Sequence, residues 1–377
     1  MLRGLSLFAN IGVAEARLVD LDVDICLANE IEPKRAAIYE HLYPRTTMVC
    51  GDITKKKIRN KIISLAKELD VNFVMATPPC QGMSVAGNRN PIDARNQLIY
   101  YAIEIIKQLS PDFILLENVP RQLKTHILVE QKTMLIPEYI ERELGDSYAF
   151  NDQKLINAKY YKVPQNRERN IYLGSKKTQN VRWQTPKPDA DVISLREAIG
   201  DLPSLDPILR EGMELTKAKF PRFDEKVKNA ALVSKWHKPP KHPWRHVEWM
   251  THTPTGTSAI FNKIYFPQKN DGTPIHGHHN HYRRLDWDNP CRVVTMFNSY
   301  ISTLSSVHPG TLISSKNFNL YSDARALSIY ELMIVMTIPI TWPIPININE
   351  PLFRSTVGEG IPPLLVEALF RELLEKF

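Results

Sequence analysis

At 377 residues the chain is longer than one core comfortably organises, and at about 150 residues per domain it predicts two. Hydrophobic residues at 43% and charged residues at 24% exclude disordered and low-complexity classes. The net charge of +7 is uneven: residues 176–285 carry 19 Lys+Arg against 11 Asp+Glu, with 23 against 21 before them and 6 against 9 after.

The nearest approach to a membrane span, Met333 to Ile346, is broken by Pro339, Pro343 and Pro345 and falls short of the roughly 18 residues required. The N-terminal stretch lacks the basic segment, apolar core and small-residue cleavage site of a signal peptide. Cys26, Cys50, Cys80 and Cys291 form no C-x-x-C pair, which argues against a disulfide framework or a cysteine zinc site. The expectation is a cytoplasmic protein with no membrane partner.

In chain order, Leu5–Ala9 is a short apolar run ending in a turn at Asn10–Gly12, and Val13–Leu18 resumes with helical character. Val23–Ala28 predicts a strand and Pro33–Leu42 a helix. Met48–Cys50 and Asn72–Ala76 read as buried strands flanking the basic helix Lys55–Leu69. Gln97–Leu109 is a strongly amphipathic helix and Asp112–Leu116 a buried strand. Strands alternating with helices imply parallel pairing through right-handed crossovers, hence an α/β fold with a doubly wound, Rossmann-like sheet.

Residues 176–290 hold 12 of the 28 prolines, so helices and central strands there should be short and broken. We divide the chain into a catalytic domain over 1–175, a loop-rich recognition domain over 176–285, and a remainder over 286–377. That remainder ends in an amphipathic helix, Leu364–Phe377, returning to the first domain. The middle segment also carries eight of the eleven histidines with Trp183, Trp236, Trp244 and Trp249, the composition of a polyanion-binding surface. His276, His278, His279 and His281 crowd together, but with no cysteine beside them they read as loop charge and not as a metal site.

Ligands of an open parallel sheet bind beyond the carboxyl ends of its strands. Those ends carry Phe8-Ala9-Asn10-Ile11-Gly12, then Glu30, then Asp52 and Ile53, then Pro78-Pro79-Cys80-Gln81, then Glu117-Asn118-Val119. Glu30 stands 18 residues beyond Gly12, a spacing at which a carboxylate can take the hydroxyls of a ribose. Each feature alone is weak, but five at consecutive strand ends describe a nucleoside-containing ligand beside a cysteine and a carboxylate.

Pro78-Pro79-Cys80-Gln81-Gly82-Met83-Ser84, Glu117-Asn118-Val119 and Gln165-Asn166-Arg167-Glu168-Arg169 resemble successive motifs of the DNA (cytosine-5)-methyltransferase family, bacterial restriction-modification type. So do Phe8–Gly12, Arg325-Ala326-Leu327-Ser328 with Glu331, and Gly358-Glu359-Gly360-Ile361-Pro362-Pro363. The resemblance covers nearly the whole chain, and residues 176–280 fall where the family keeps its variable recognition region.

The resemblance implies transfer of a methyl group from S-adenosyl-L-methionine to carbon 5 of cytosine, leaving S-adenosyl-L-homocysteine. Carbon 5 is too poor a nucleophile to attack a methyl sulfonium unaided, and a thiolate adding to carbon 6 makes it an enamine carbon. Cys80 is the cysteine so presented. Cys26 and Cys50 lie in predicted strands and read as core, and Cys291, after Pro290, as packing. Glu117 would bond ring nitrogen N3 and the exocyclic amine. Arg167 and Arg169, alternating on a strand, would share a face, one of them reaching the base O2.

The donor would meet Phe8, Ala9, Asn10, Gly12, Glu30, Ile31, Asp52, Ile53, Pro78 and Glu359. Three positions depart from the family pattern: Ser6 replaces an acidic residue, Asn10 a glycine and Glu359 an asparagine.

The resemblance further implies that the target base leaves the duplex, since neither thiol nor donor reaches a stacked base. Gln81 to Asn96, with Ser84, Arg89 and Arg95, reads as a loop closing over it. Gln165, Arg283 and Arg284 complete the expected contacts to double-stranded DNA. The expected partner besides DNA is a cognate restriction endonuclease, with the enzyme acting as a monomer in the nucleoid. A tRNA cytosine-5 methyltransferase on the same framework and a catalytically inactive DNA-binding relative are the alternatives. The size and basicity of the recognition segment favour DNA, and the intact Cys80, Glu117, Arg167 and Arg169 argue against inactivity.

Overall fold

The computed structural model describes residues 1–79, 96–275, 277–304, 306–316 and 318–377. The first half alternates as expected: β1 (Leu2–Leu7), β2 (Val23–Glu30), α1 (Pro33–Leu42), β3 (Thr47–Cys50), α2 (Lys56–Glu68), β4 (Phe73–Ala76), α3 (Leu98–Leu109) and β5 (Phe113–Asn118). A hairpin of β6 (His126–Val129) and β7 (Lys132–Leu135) leads into α4 (Ile136–Leu144), followed by β8 (Tyr148–Phe150), β9 (Leu155–Asn157) and β10 (Glu168–Lys176). Among the described residues eight strands form one sheet in the order β3-β2-β1-β4-β5-β10-β8, with β9 also on β10. The first five are parallel, whereas β10 runs antiparallel to β5, β8 and β9.

The sheet is covered on both faces, and its central strands therefore read as unbroken apolar runs. Side chains alternate across the pleat. Val74, Ala76, Ile114 and Leu116 face a core made with α2, α3 and α4. Phe73, Met75, Phe113 and Leu115 face another, closed by α11 (Pro363–Leu374) through Leu365, Leu369 and Phe370.

Two sequence expectations change here. Val13–Leu18 forms turns, and its only helical element is a 3₁₀ turn at Leu18–Asp20, because the segment is held by packing against the later part of the chain. Trp183, expected on a polyanion-binding surface, is 1% exposed in the sheet core, its Nε1 donating to Leu369 O at 2.8 Å. Trp249 is also buried. The middle tryptophans thus serve packing, and the sheet's own structure runs past residue 175.

Beyond Trp183 the elements are short, as proline content predicts: α5 (Leu195–Ile199), β11 (Ile208–Leu209), α6 (Met213–Lys219), α7 (Phe223–Val233), β12 (Lys241–His242), α8 (Trp244–Thr251), β13 (Leu312–Ser314), β14 (Leu320–Tyr321), α9 (Ile329–Val335) and α10 (Glu350–Glu359). A third core joins Ile11, Val13 and Ala16 of the first turn to Leu285, Cys291, Leu327, Met333, Phe353 and Val357. Arg325, wholly buried, pairs with Asp323 at 2.9 Å and Glu331 at 2.8 Å, and Ser328 caps α9 in a capping box with Glu331. No described helix is long and apolar enough to cross a membrane.

Candidate active site

The parallel strands end on one edge of the sheet, and the residues that follow each strand stand there. After β1 the chain turns through three residues with left-handed angles, Phe8 (φ 60°), Asn10 (φ 54°) and Gly12 (φ 79°). Asparagine tolerates that region, so it can stand where the family pattern has glycine. At Gly12 nothing larger fits, because an added Cβ would lie 2.2 Å from the Tyr43 ring. The turn aims the Asn10 N–H at Glu30 Oε2 (2.9 Å), and Glu32 N–H donates to Oε1 (2.9 Å). Each Glu30 oxygen keeps a lone pair, so the carboxylate is oriented and still able to accept two ribose hydroxyls. Asp52 is half-buried with Oδ1 accepting from Thr54 N–H, and Ile31 is 61% exposed beside it. The Ile53 side chain points into the core, leaving only its backbone edge for a ligand. Ala9 is buried and Phe8 half-buried against the same core.

Ser6 is partnered by Glu15, for which the sequence carries no motif. Its Oγ donates to Glu15 Oε1 at 2.6 Å beneath the turn, and Glu15 is buried. The carboxyl absent at position 6 therefore reappears at position 15. Burial raises the Glu15 carboxyl to about 7, with the Ser6 hydrogen bond pulling the other way.

Strands β4 and β5 place the catalytic segment. Asn118 Nδ2 donates to Pro78 O at 2.9 Å, tying the end of β5 to the turn that leads into Cys80. Cys80, Gln81, Ser84, Arg89 and Arg95 themselves lie outside the described residues. Glu117 is 8% exposed at the end of β5, and Arg169 Nε, from the neighbouring β10, meets its Oε1 at 2.8 Å. Burial pushes the Glu117 carboxyl above the usual carboxylate range, while Arg169 and Arg167 draw it down.

Several residues expected at the site or in the core lie elsewhere. Arg167 is close enough to Glu117 to act on it but is 1% exposed and donates to Val294 O (2.9 Å), Gly358 O (2.9 Å) and Gly360 O (2.7 Å). It is a tie between the entry to β10 and the end of α10, because residues 166–167 precede the strand and need not follow its alternation. Gln165, expected to contact DNA, is fully buried: its Oε1 receives Val294 N–H (3.2 Å) and its Nε2 donates to Met336 Sδ (3.0 Å). Arg284 is also fully buried, donating to the carbonyls of Met250, His308, Pro309 and Asp323, with burial lowering it to about 9. Cys50, expected in the core, is exposed at the last position of the edge strand β3. Cys26 and Cys291 are buried, and burial raises the Cys291 thiol to about 12.

Arg283 does face open space. With Lys159, Asn166, Asn280 and Arg292 it lines a cleft of about 680 Å³ between the start of β10 and the basic segment. Arg292, Val293 and Thr295 form one wall, and Thr295 is held close to α10: a Cβ on Gly358 would lie 2.2 Å from Thr295 O.

A doubly wound sheet that gathers Asn10, Glu30 and Asp52 at the ends of its parallel strands, with a buried acid–arginine pair at the end of β5, is the architecture of a nucleoside-binding α/β enzyme. Residues 2–375 match the C-5 cytosine-specific DNA methylase family model, and the chain belongs to that family. It is accordingly a DNA cytosine-5 methyltransferase. It is 39% identical over 378 residues to the type II methyltransferase M1.HgaI of Avibacterium volantium, spanning 99% of this chain and 98% of that one. The type II methyltransferase M.DdeI of Desulfomicrobium norvegicum is 26% identical over 360 residues, 91% of this chain and 81% of that one. Among solved structures, DNMT2 of Spodoptera frugiperda superposes with a TM-score of 0.63 at 16% identity, covering 99% of this chain and all of that one.

Proposed function

We propose that the chain methylates a cytosine rotated out of double-stranded DNA through a covalent bond between Cys80 Sγ and carbon 6. The observation that carries this is the buried Glu117–Arg169 pair, next in sequence to Asn118, whose side chain donates to Pro78 O at the entry to the Cys80 segment. A carboxyl whose burial favours its protonated form can donate to N3 of cytosine while its second oxygen accepts from the exocyclic amine. Thymine presents a donor at N3 and is refused by the same group.

Thiolate addition at carbon 6 moves the ring's electron pair to carbon 5, and the N3 side gains the proton that Glu117 releases. S-adenosyl-L-methionine, when bound, supplies the electrophilic methyl carbon. Methyl transfer would leave the S–CH3 bonding pair on the donor sulfur; N3 then returns its proton to Glu117, a base removes the proton from carbon 5 to restore the C5–C6 double bond, and the C6–S bond breaks with its electron pair leaving on Cys80. Arg169 orients Glu117 and lies on the side from which the base O2 would be held. Arg167 maintains the wall of the site. Glu30, Asp52, Ile31, Phe8, Ala9, Pro78 and the first turn would hold the donor's nucleoside.

The cleft of Lys159, Arg283 and Arg292 suits a phosphate backbone, and residues 176–285 would read the sequence. With both relatives named as type II methyltransferases, the activity reads as protection of DNA from a cognate endonuclease, by a monomer in the cytoplasm. Label transfer from the donor should reach cytosine in duplex DNA and not in tRNA. Labelling of tRNA alone would overturn the assignment of duplex DNA as substrate.

A further inference from the structure

Two departures from the family's motifs, Asn10 and Glu359, meet in the fold, and Arg35 from the first turn of α1 joins them. Arg35 Nη1 lies 2.7 Å from Glu359 Oε2 and Nη2 lies 3.2 Å from Oε1, a fork-on-fork ion pair. Asn10 Nδ2 is 3.4 Å from the same Oε2 and 3.4 Å from Thr356 O. Asn10 Oδ1 is buried without a hydrogen-bond partner, and the Asn10 N–H is on Glu30. Glu30, Asn10, Glu359 and Arg35 are thus linked in that order by successive polar contacts. The two charged side chains are 23% and 24% exposed, so a ligand can reach them.

We propose that Arg35 and Glu359 form the recognition pair for the zwitterionic amino-acid end of the methyl donor, Glu359 taking its ammonium and Arg35 its carboxylate. The proposal rests on the reading of the Glu30 crevice as the donor site. An ion pair matches a zwitterion electrically: each charge of the protein exchanges one opposite partner for another, and no unpaired charge is created. Asn10 Oδ1 offers the ammonium a second acceptor. A carboxylate where the family pattern has a neutral amide would leave an excess negative charge beside Glu30, and Arg35 cancels it. Partly exposed pairs add little to stability, which makes a mere tie between α1 and α10 a weak reason for the alignment.

The test compares S-adenosylhomocysteine, which carries the amino-acid end, with 5′-deoxy-5′-methylthioadenosine, which lacks it, by calorimetry on the full chain. Glu359→Gln and Arg35→Gln should each reduce the preference for S-adenosylhomocysteine about tenfold, leaving methylthioadenosine affinity within about twofold. Arg35→Glu combined with Glu359→Arg should rebuild the ion pair and fold with an unchanged melting temperature, but without the preference, because its polarity is placed wrongly for the ligand. A preference unchanged in both single variants, or regained in the swap, would overturn the proposal. If Glu30→Ala leaves methylthioadenosine binding untouched, the donor-site reading itself falls and takes the pair's role with it.

Discussion

Arg169 Nε and Glu117 Oε1 lie 2.8 Å apart across antiparallel neighbours β10 and β5, both side chains about nine-tenths buried. Arg169 comes from the strand that breaks the sheet's parallel order, so the acid and its cation reach the same edge from opposite chain directions. Breaking such a pair leaves a charge without its partner in a poorly solvated place. Glu117→Gln keeps the shape and removes the acid. Methyl transfer should fall by roughly 10²–10⁴-fold with duplex affinity little changed. Label-transfer rates and a binding titration on the same DNA check this, and a rate within tenfold of wild type would contradict the role of Glu117.

Covalent chemistry at Cys80 has its own signature. Duplex DNA with 5-fluorocytosine at the target lacks the proton whose loss permits release, so a denaturant-resistant complex should accumulate in the presence of the donor. Cys80→Ala should form none, and Cys80→Ser should still bind DNA without methylating it. Denaturing electrophoresis decides, and a shifted band that survives in Cys80→Ala would sink the covalent route.

Two adjacent arginines should respond in opposite ways. Arg283 lines the open cleft, so Arg283→Ala should reduce the slope of log affinity against log salt by about one, the share of one phosphate contact. Arg284→Ala strands the carbonyls of Met250, His308, Pro309 and Asp323, and should cost roughly 3 kcal/mol of unfolding free energy. Salt titrations and denaturant melts separate the two effects. Equal salt slopes in wild type and Arg283→Ala would remove Arg283 from the DNA contact.

Glu15 predicts a pH-dependent stability term. Its folded value of about 7 exceeds the ordinary 4.5, so its contribution is complete below 4.5 and is lost as pH rises through about 7. Across that window the loss amounts to roughly 3 kcal/mol. Glu15→Gln cannot ionise, and its stability relative to wild type should therefore climb between about pH 5 and pH 8. Denaturant unfolding over that range checks it, and a flat difference would show that Glu15 does not titrate as the buried carboxyl it resembles here.

The parallel half of the fold was legible because local physics dictates it. Runs such as Phe73–Ala76 and Phe113–Leu116 can only be strands buried on both faces, and the intervening helices make parallel pairing the simplest closure. The strand-end residues were legible for the same reason: once the sheet's direction is set, Asn10, Glu30, Asp52, Pro78 and Glu117 must share one edge.

Exposure of long polar side chains was not legible. Arg283 and Arg284 look alike in sequence, yet one lines a cleft and the other binds carbonyls up to 39 residues away. Arg167 and Arg169 likewise part company, because a strand's alternation begins only where its pairing does, at Glu168. The amino-acid sequence by itself determined the strands and helices of the parallel half, the order of the motifs and the family. Only the tertiary structure decided which charges are buried and whom they meet, including Ser6 with Glu15 and Arg35 with Glu359. Such partners lie anywhere from 9 to 324 residues apart. A polar group taken even partly out of water depends on a partner, and no local pattern encodes that partner's place in the chain.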